Sequence, residues 1–224
     1  MMDSKTMLDS KTMLDSKTIL DSKTMLDREL LASGQRFHGH KCPAMPMGLR
    51  AGLAAMDKLG VAHASDGQLQ AILELDEAHC ATCFADGVQV ATGCTYGKGN
   101  ISPLGYGKWG LTLIDVRSGR AVRVAPRTEV MMQNKRSRFM EMRKSGVPAS
   151  QVPAEIVDPL VEMVASAPTV KLLDVGDVFS IEWHSPAHTF ESVVCDGCGE
   201  MVVERNARVK NGKVLCVPCS GYGS

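Results

Sequence analysis

WGLTLIDVRSGRAVRV, residues 109 to 124, is the stretch on which the fold reading turns. On both sides of Ser118-Gly119 the apolar residues fall at a period of two, which turns one face of a strand inward, and a glycine turn between two such runs makes a hairpin. Toward the N-terminus, LQAILEL (69–75) reads as another strand. A short helix is expected over about 81–92, closed by Gly93. Before them, Leu49, Leu53 and Met56 recur at helical spacing within 46–59, Gly48 and Gly52 stand one turn apart, and Gly60 is a stop signal. That segment predicts a helix with a close-packing face. Toward the C-terminus, helical patterns cover 128–144 and 153–164, and VFSIEWH near Val178 reads as a late strand. Helices and strands mix without regular β-α alternation, so the fold class expected is α+β.

Length and composition set the scale. The 224 residues, 44% of them hydrophobic, suffice for one medium domain with a small appendage. A formal net charge of zero and only 4% aromatic residues argue against a protein dedicated to nucleic acid. No signal-peptide pattern or bilayer-length apolar run is present, so a cytoplasmic protein with no membrane contact is expected. Eight cysteines in a reducing compartment are read first as metal ligands or redox groups.

The chain opens with a tandem hexapeptide, DSKTML repeated with one DSKTIL from Asp3 to Leu26. A period of six rotates the Met/Leu pair around a helix and builds no stripe, so residues 1–30 read as a low-complexity leader outside the function. An α+β domain is expected over 31–190 and a metal module over 191–224.

In that module, Cys195/Cys198 and Cys216/Cys219 are separated by seventeen residues, the spacing of a four-cysteine zinc site. Asn211-Gly212 supplies a hairpin turn between the pairs. Four thiolates close the tetrahedron, so this Zn2+ would be structural. The module's charges cancel, which favours capping or protein contact over DNA binding.

The other cysteines, Cys42, Cys80, Cys83 and Cys94, lie in the first half with His38, His40 and His79. Cys42 precedes a helix whose N-terminus favours a thiolate, and Asp86 follows Cys83 by three residues. HGHKCP, GLRAGLAAM, C-x-x-DGVQ-x-x-TGCT-x-GKGN, YGK and VRV together resemble the FmdE family of formylmethanofuran dehydrogenase proteins over about residues 37–126. The resemblance implies an α+β core and one cleft lined by His38, His40, Cys42, Cys83, Asp86, Cys94 and Lys98. It also implies association with a molybdenum- or tungsten-dependent formylmethanofuran dehydrogenase in one-carbon, methanogenesis-type metabolism, and a possible homodimer. Ala44 stands where the family commonly has glycine, which puts the local turn in question. Cys80 is secondary to that pattern.

In such a cleft His40, Cys42 and Cys83 would offer a mixed N/S site for a second metal ion, with a position left open for Lewis-acid chemistry. Asp86 would orient a ligand or move a proton, and Lys98 would hold an anion. The alternative is that these cysteines are small hydrophobes and the histidines are satisfied by backbone. GCTYGKGN fails the phosphate-loop spacing. Nine basic residues face only Glu129 and Glu141 between Arg117 and Lys144. Such a run is ordinarily a solvated helix face, with an acidic cofactor, an acidic partner or RNA as the alternatives. No molybdopterin-binding signature, ferredoxin-type cysteine run, nucleotide fingerprint or assignable Ser-His-Asp set is visible, so the redox step itself is not expected of this polypeptide. Two other functions stay open: a zinc-finger regulatory protein contacting protein or nucleic acid, and a stand-alone metal-dependent enzyme.

Overall fold

The computed structural model describes residues 26–78, 82–184 and 189–222. The hexapeptide repeats up to Thr24 and Met25, together with His79, Cys80 and Ala81, lie outside the described residues. The chain divides into two compact units, residues 1–182 and 183–224. None of the described helices is long and apolar enough to cross a membrane.

In the first unit, α1 (Arg28–His38) starts where the Asp27 carboxylate accepts from Leu30 N at 3.0 Å and ends at left-handed Gly39. After Pro43 comes α2 (Ala44–Leu59), then β1 (Leu69–Leu73), α3 (Cys83–Thr92), a 3-10 turn at Tyr96–Lys98 and β2 (Ile101–Pro103). The hairpin is β3 (Leu111–Asp115) and β4 (Arg120–Pro126), paired Leu111↔Val124 through Asp115↔Arg120. The rest of the unit comprises α4 (Thr128–Lys135), α5 (Arg138–Lys144), α6 (Ala154–Ser166), α7 (Thr169–Leu172), β5 (Leu173–Val175) and β6 (Phe179–Ser180).

The sheet order is β2-β1-β3-β4-β5, with β6 also on β4. β1 and β2 are parallel, as a helical crossover through α3 allows, and the other pairs are antiparallel. This mixed helix-and-sheet architecture is the α+β class. α2 packs against β3 and β4, and the main core joins Met47, Ala51 and Ala55 of α2 to Phe84 and Val88 of α3 and Leu111, Leu113, Val122 and Val124 of the hairpin.

Two expectations change. The single helical pattern over 128–144 is two helices, because Ser137 leaves the helix to cap the second, its Oγ accepting from Met140 N at 3.3 Å. The late strand near Val178 shortens to Phe179–Ser180, on the far end of β4 opposite Arg120 and Ala121.

The α2–α3 contact follows from glycine. A Cβ on Gly48 would sit 2.0 Å from Phe84 O, and one on Gly87 would sit 2.0 Å from Met45 O. Only glycine permits this backbone approach. Gly48 meets Phe84 and Gly87 while Gly52 meets Ala91 and Thr92, so the two helices run in the same direction and their N-termini lie side by side. Buried Arg50 of α2 ties in the end of α6, donating to Val164 O and Ala165 O at 3.0 Å and to Thr169 Oγ1. Those are the carbonyls a helix C-terminus leaves unpaired.

The second unit contains two short hairpins, β7 (Ser192–Val194) with β8 (Met201–Val203) and β9 (Arg208–Lys210) with β10 (Lys213–Leu215), followed by α8 (Val217–Ser220). Asn211 and Gly212 both take positive φ, 53° and 76°, as a two-residue turn of this kind requires.

Candidate metal centre and cleft

Cys83 is the first residue of α3 and Cys42 lies two residues before α2. The parallel, glycine-mediated packing of these helices therefore carries both thiols to one place. His38 arrives as the last residue of α1, and left-handed Gly39 turns the chain so that His40 faces back toward it. Donor atoms of His38, His40, Cys42 and Cys83 all lie within 4.8 Å of one another.

The separations suit a tetrahedral ion. With metal–nitrogen bonds of about 2.0–2.1 Å and metal–sulfur bonds of about 2.3 Å, tetrahedral edges are about 3.3 Å for N···N, about 3.6 Å for N···S and about 3.8 Å for S···S. His38 Nε2 lies 3.1 Å from His40 Nε2 and 3.5 Å from Cys42 Sγ. The other nitrogen of His38, Nδ1, is 2.7 Å from Asp86 Oδ2, and Asp86 Oδ1 in turn accepts from Gln89 Nε2 at 3.2 Å. A carboxylate that takes the Nδ1 proton fixes the tautomer leaving Nε2 free to ligate.

The electrostatics follow from these contacts. The Asp86 hydrogen bond, reinforced by Cys83, raises the His38 pKa to about 9. His40 is pushed down by burial and by the neighbouring positive groups His38 and Arg143, which keeps a neutral imidazole available. Cys42 is lowered by the Cys83 thiol and by the N–H groups of Met45 and Ala44 at the start of α2. Cys83 is raised, because the Cys42 charge and burial oppose a second thiolate beside the first. A bound cation would remove that conflict.

His40, Cys42 and Cys83 open onto a cleft of about 1060 Å³. Its walls come from Trp109, from Arg123 to Pro126 on β4, and from α4 and α5 through Met131, Phe139 and Met140.

In the second unit, donor atoms of Cys195, Cys198, Cys216 and Cys219 also lie within 4.8 Å. Cys198 and Cys216 sulfurs are 3.9 Å apart, close to a tetrahedral edge. Cys195 Sγ accepts from Gly197 N at 3.4 Å and Cys216 N at 3.2 Å. The Cys216 and Cys198 N–H groups bring its pKa down to about 6, whereas Cys219, crowded by Cys216 and the other sulfurs, rises to about 12. Asp196 locks the two knuckles together, its N donating to Val214 O and its Oδ2 accepting from Val214 N at 2.7 Å. This four-cysteine group can hold a metal ion.

A family model described as FmdE, Molybdenum formylmethanofuran dehydrogenase operon, matches residues 37–174, more than half of the chain. The chain belongs to the FmdE family. Its fold is shared with an FmdE-like protein of tungsten formylmethanofuran dehydrogenase from Syntrophus aciditrophicus, at a TM-score of 0.52 and 21% identity over 88% of this chain and 97% of that one. It is also 33% identical over 201 residues to a probable S-adenosyl-L-methionine-binding protein of Archaeoglobus fulgidus, covering 86% of this chain. The chain spans about half the length of that curated relative, 52%.

Within the FmdE match, not every residue expected in the cleft sits together. Asp86 stands behind His38 rather than among the ligating atoms. Cys94 is fully buried in the main core, its pKa raised by burial, and belongs to neither the cluster nor the cleft lining. Lys98 closes the 3-10 turn, its N–H donating to Thr95 Oγ1, and is likewise outside the lining. The glycine after CP is dispensable here: Ala44 is the first residue of α2, buried, and not at positive φ. Sequence alone does not single out the cleft walls in α4 and α5. Their signal is the basic run with methionines and Phe139 interleaved, which reads as a solvated face until β4 lies beneath it.

Proposed function

We propose that this FmdE-family chain is a metalloprotein in which a thiophilic divalent ion, zinc in the first instance, is held by His38, His40, Cys42 and Cys83 in the wall of the cleft. The convergence of four N/S donors within 4.8 Å carries this reading. Bound there, the ion supplies Lewis-acid polarisation to a molecule in the cleft. The protein's own residues do the rest. Asp86, held by Gln89, fixes the His38 ring. His40 has only His38 as a hydrogen-bond partner among the described residues, so it is the donor free to swing aside and admit a ligand from the cleft. Cys195, Cys198, Cys216 and Cys219 hold a second zinc that is structural, because four thiolates leave no position for substrate.

In the cell the chain serves as an accessory to molybdenum- or tungsten-dependent formylmethanofuran dehydrogenase in cytoplasmic one-carbon metabolism. The family description and the Syntrophus protein's name support that placement. The Archaeoglobus relative's name would suggest S-adenosyl-L-methionine. About half of that protein lies beyond the match, and five basic residues with no acidic one line the cleft, which disfavours a sulfonium cation.

The test is metal analysis of anaerobically purified protein. Two ions per chain are expected, with one lost in Cys42→Ser/Cys83→Ser and the other in Cys195→Ser/Cys198→Ser. A single ion, lost only in the tail variant, would overturn the cleft centre. Anaerobic co-purification with a molybdenum or tungsten enzyme tests the accessory role, which fails if none accompanies the chain at native expression.

A further inference from the structure

The proposed function leaves the occupant of the cleft unnamed, and its walls carry that information. Its base is apolar: Phe139 is buried, and Trp109, Met131 and Met140 are half-buried around it. Its rim is cationic. Lys108, Arg123, Lys135, Arg143 and Lys144 line it, and no aspartate or glutamate does. The basic run seen in the sequence therefore splits into two populations. Arg127 pairs with Asp174 and Glu129, Arg138 pairs with Glu141, and Arg120 donates to Leu59 O. Arg123 is neutralised by a two-pronged contact with Glu74, at 2.6 and 2.8 Å. Lys135, Arg143 and Lys144 have no carboxylate within ion-pair distance among the described residues. The Arg143 guanidinium is held instead by a neutral carbonyl, Val147 O at 2.6 Å, which fixes its position while leaving its charge uncompensated. Asn134, also in the lining, buries an amide oxygen that has no hydrogen-bond partner. A buried acceptor of this kind points to a ligand donor.

We propose that the cleft binds a small organic anion, a carboxylate or phosphate ester whose apolar body lies on Trp109, Phe139 and the methionines and whose charged end meets Lys135, Arg143 and Lys144. This names the ligand class for the metal-centre reading and rests on it only for what happens after binding. Concavity and the apolar base favour a small molecule over RNA, which stacks bases on exposed aromatic platforms. Methionine suits a ligand of variable shape.

Calorimetric titrations with octanoate, octyl phosphate, octan-1-ol, inorganic phosphate and a uridine 20-mer at fixed salt test this. One octanoate or octyl phosphate is expected per chain, at least tenfold tighter than octan-1-ol or inorganic phosphate, and the tighter of the two distinguishes a carboxylate from a phosphate ligand. Arg143→Gln/Lys144→Gln should weaken both anions at least tenfold and leave octan-1-ol unchanged. Arg138→Gln, whose charge is paired away from the cleft, should alter none of them. Equal affinity for octan-1-ol and octanoate, or unchanged anion binding in the double variant, would overturn the proposal. So would tighter binding of the 20-mer that depends on the same two side chains. Repeating the titration on Cys42→Ser/Cys83→Ser separates the two readings. Anion binding that survives there supports the cationic rim whether or not wild type holds a cleft metal, and its loss there would place the anion on the metal instead and overturn the assignment.

Discussion

At the scale of single residues, the hydrogen-bonded line from Gln89 through Asp86 to His38 does most to define the centre. Asp86 ligates nothing itself, yet it decides which nitrogen of His38 faces Cys42. Replacing Asp86 by Asn keeps the size and removes the charge that favours the Nδ1 proton. Metal affinity of the cleft centre should fall about 10- to 100-fold, measured by competition with a chromophoric chelator, while the circular dichroism stays unchanged. Glu74 offers a pH test. Arg123 lies against its carboxylate and holds its pKa below the usual range. A depressed folded pKa contributes stability above the unfolded value of about 4.3, lost as pH falls through the lower folded value. Glu74→Gln should thus cost about 1 to 3 kcal/mol at pH 7, read from urea unfolding, and the gap from wild type should close as the pH drops below about 4.

Elements matter here through one contact, that between α2 and α3. The helical spacing and the Gly48/Gly52 pair are legible in sequence, and so is a close-packing face. Its partner is not, because Gly87 looks like any glycine in a short helix until Met45 O is 2.0 Å from where its Cβ would be. A methyl group at Gly48 or Gly87 has no flexible side chain to displace, only backbone. Gly48→Ala and Gly87→Ala should each destabilise by about 1 to 3 kcal/mol or more through overpacking, seen as a lower urea midpoint. Both should also weaken metal at the cleft centre, since spreading the helix starts separates Cys42 from Cys83. An alanine at exposed Gly67, where a Cβ meets nothing within 4 Å, should change neither.

Taken whole, the chain carries two clusters of different kind in its two compact units. The tail unit has few buried apolar residues, with Cys195 and Leu215 as its buried hydrophobics, so its folding should depend on its metal. Treatment with a strong chelator should make the segment after Trp183 sensitive to protease, followed by mass spectrometry, while the first unit, with the main apolar core, keeps its cooperative melt. Cys195→Ser/Cys198→Ser should reproduce the chelator's effect without chelator.

The amino-acid sequence alone determined what depends on local order: the β3–β4 hairpin from its period of two, the α2 face from its glycines, and the tail's metal knuckles from cysteine spacing. HGHKCP and the motifs after it also identified the family. What the tertiary structure decided depends on contacts between distant segments. It joined His38 and His40 to Cys83, removed Cys94 to the core, and laid α4 and α5 over β4 so that a run read as a solvated face became the rim of a cleft. The physical reason is that periodicity and spacing report each residue's neighbours along the chain, whereas ligation and charge compensation act through space over a few ångströms, and only packing sets those separations.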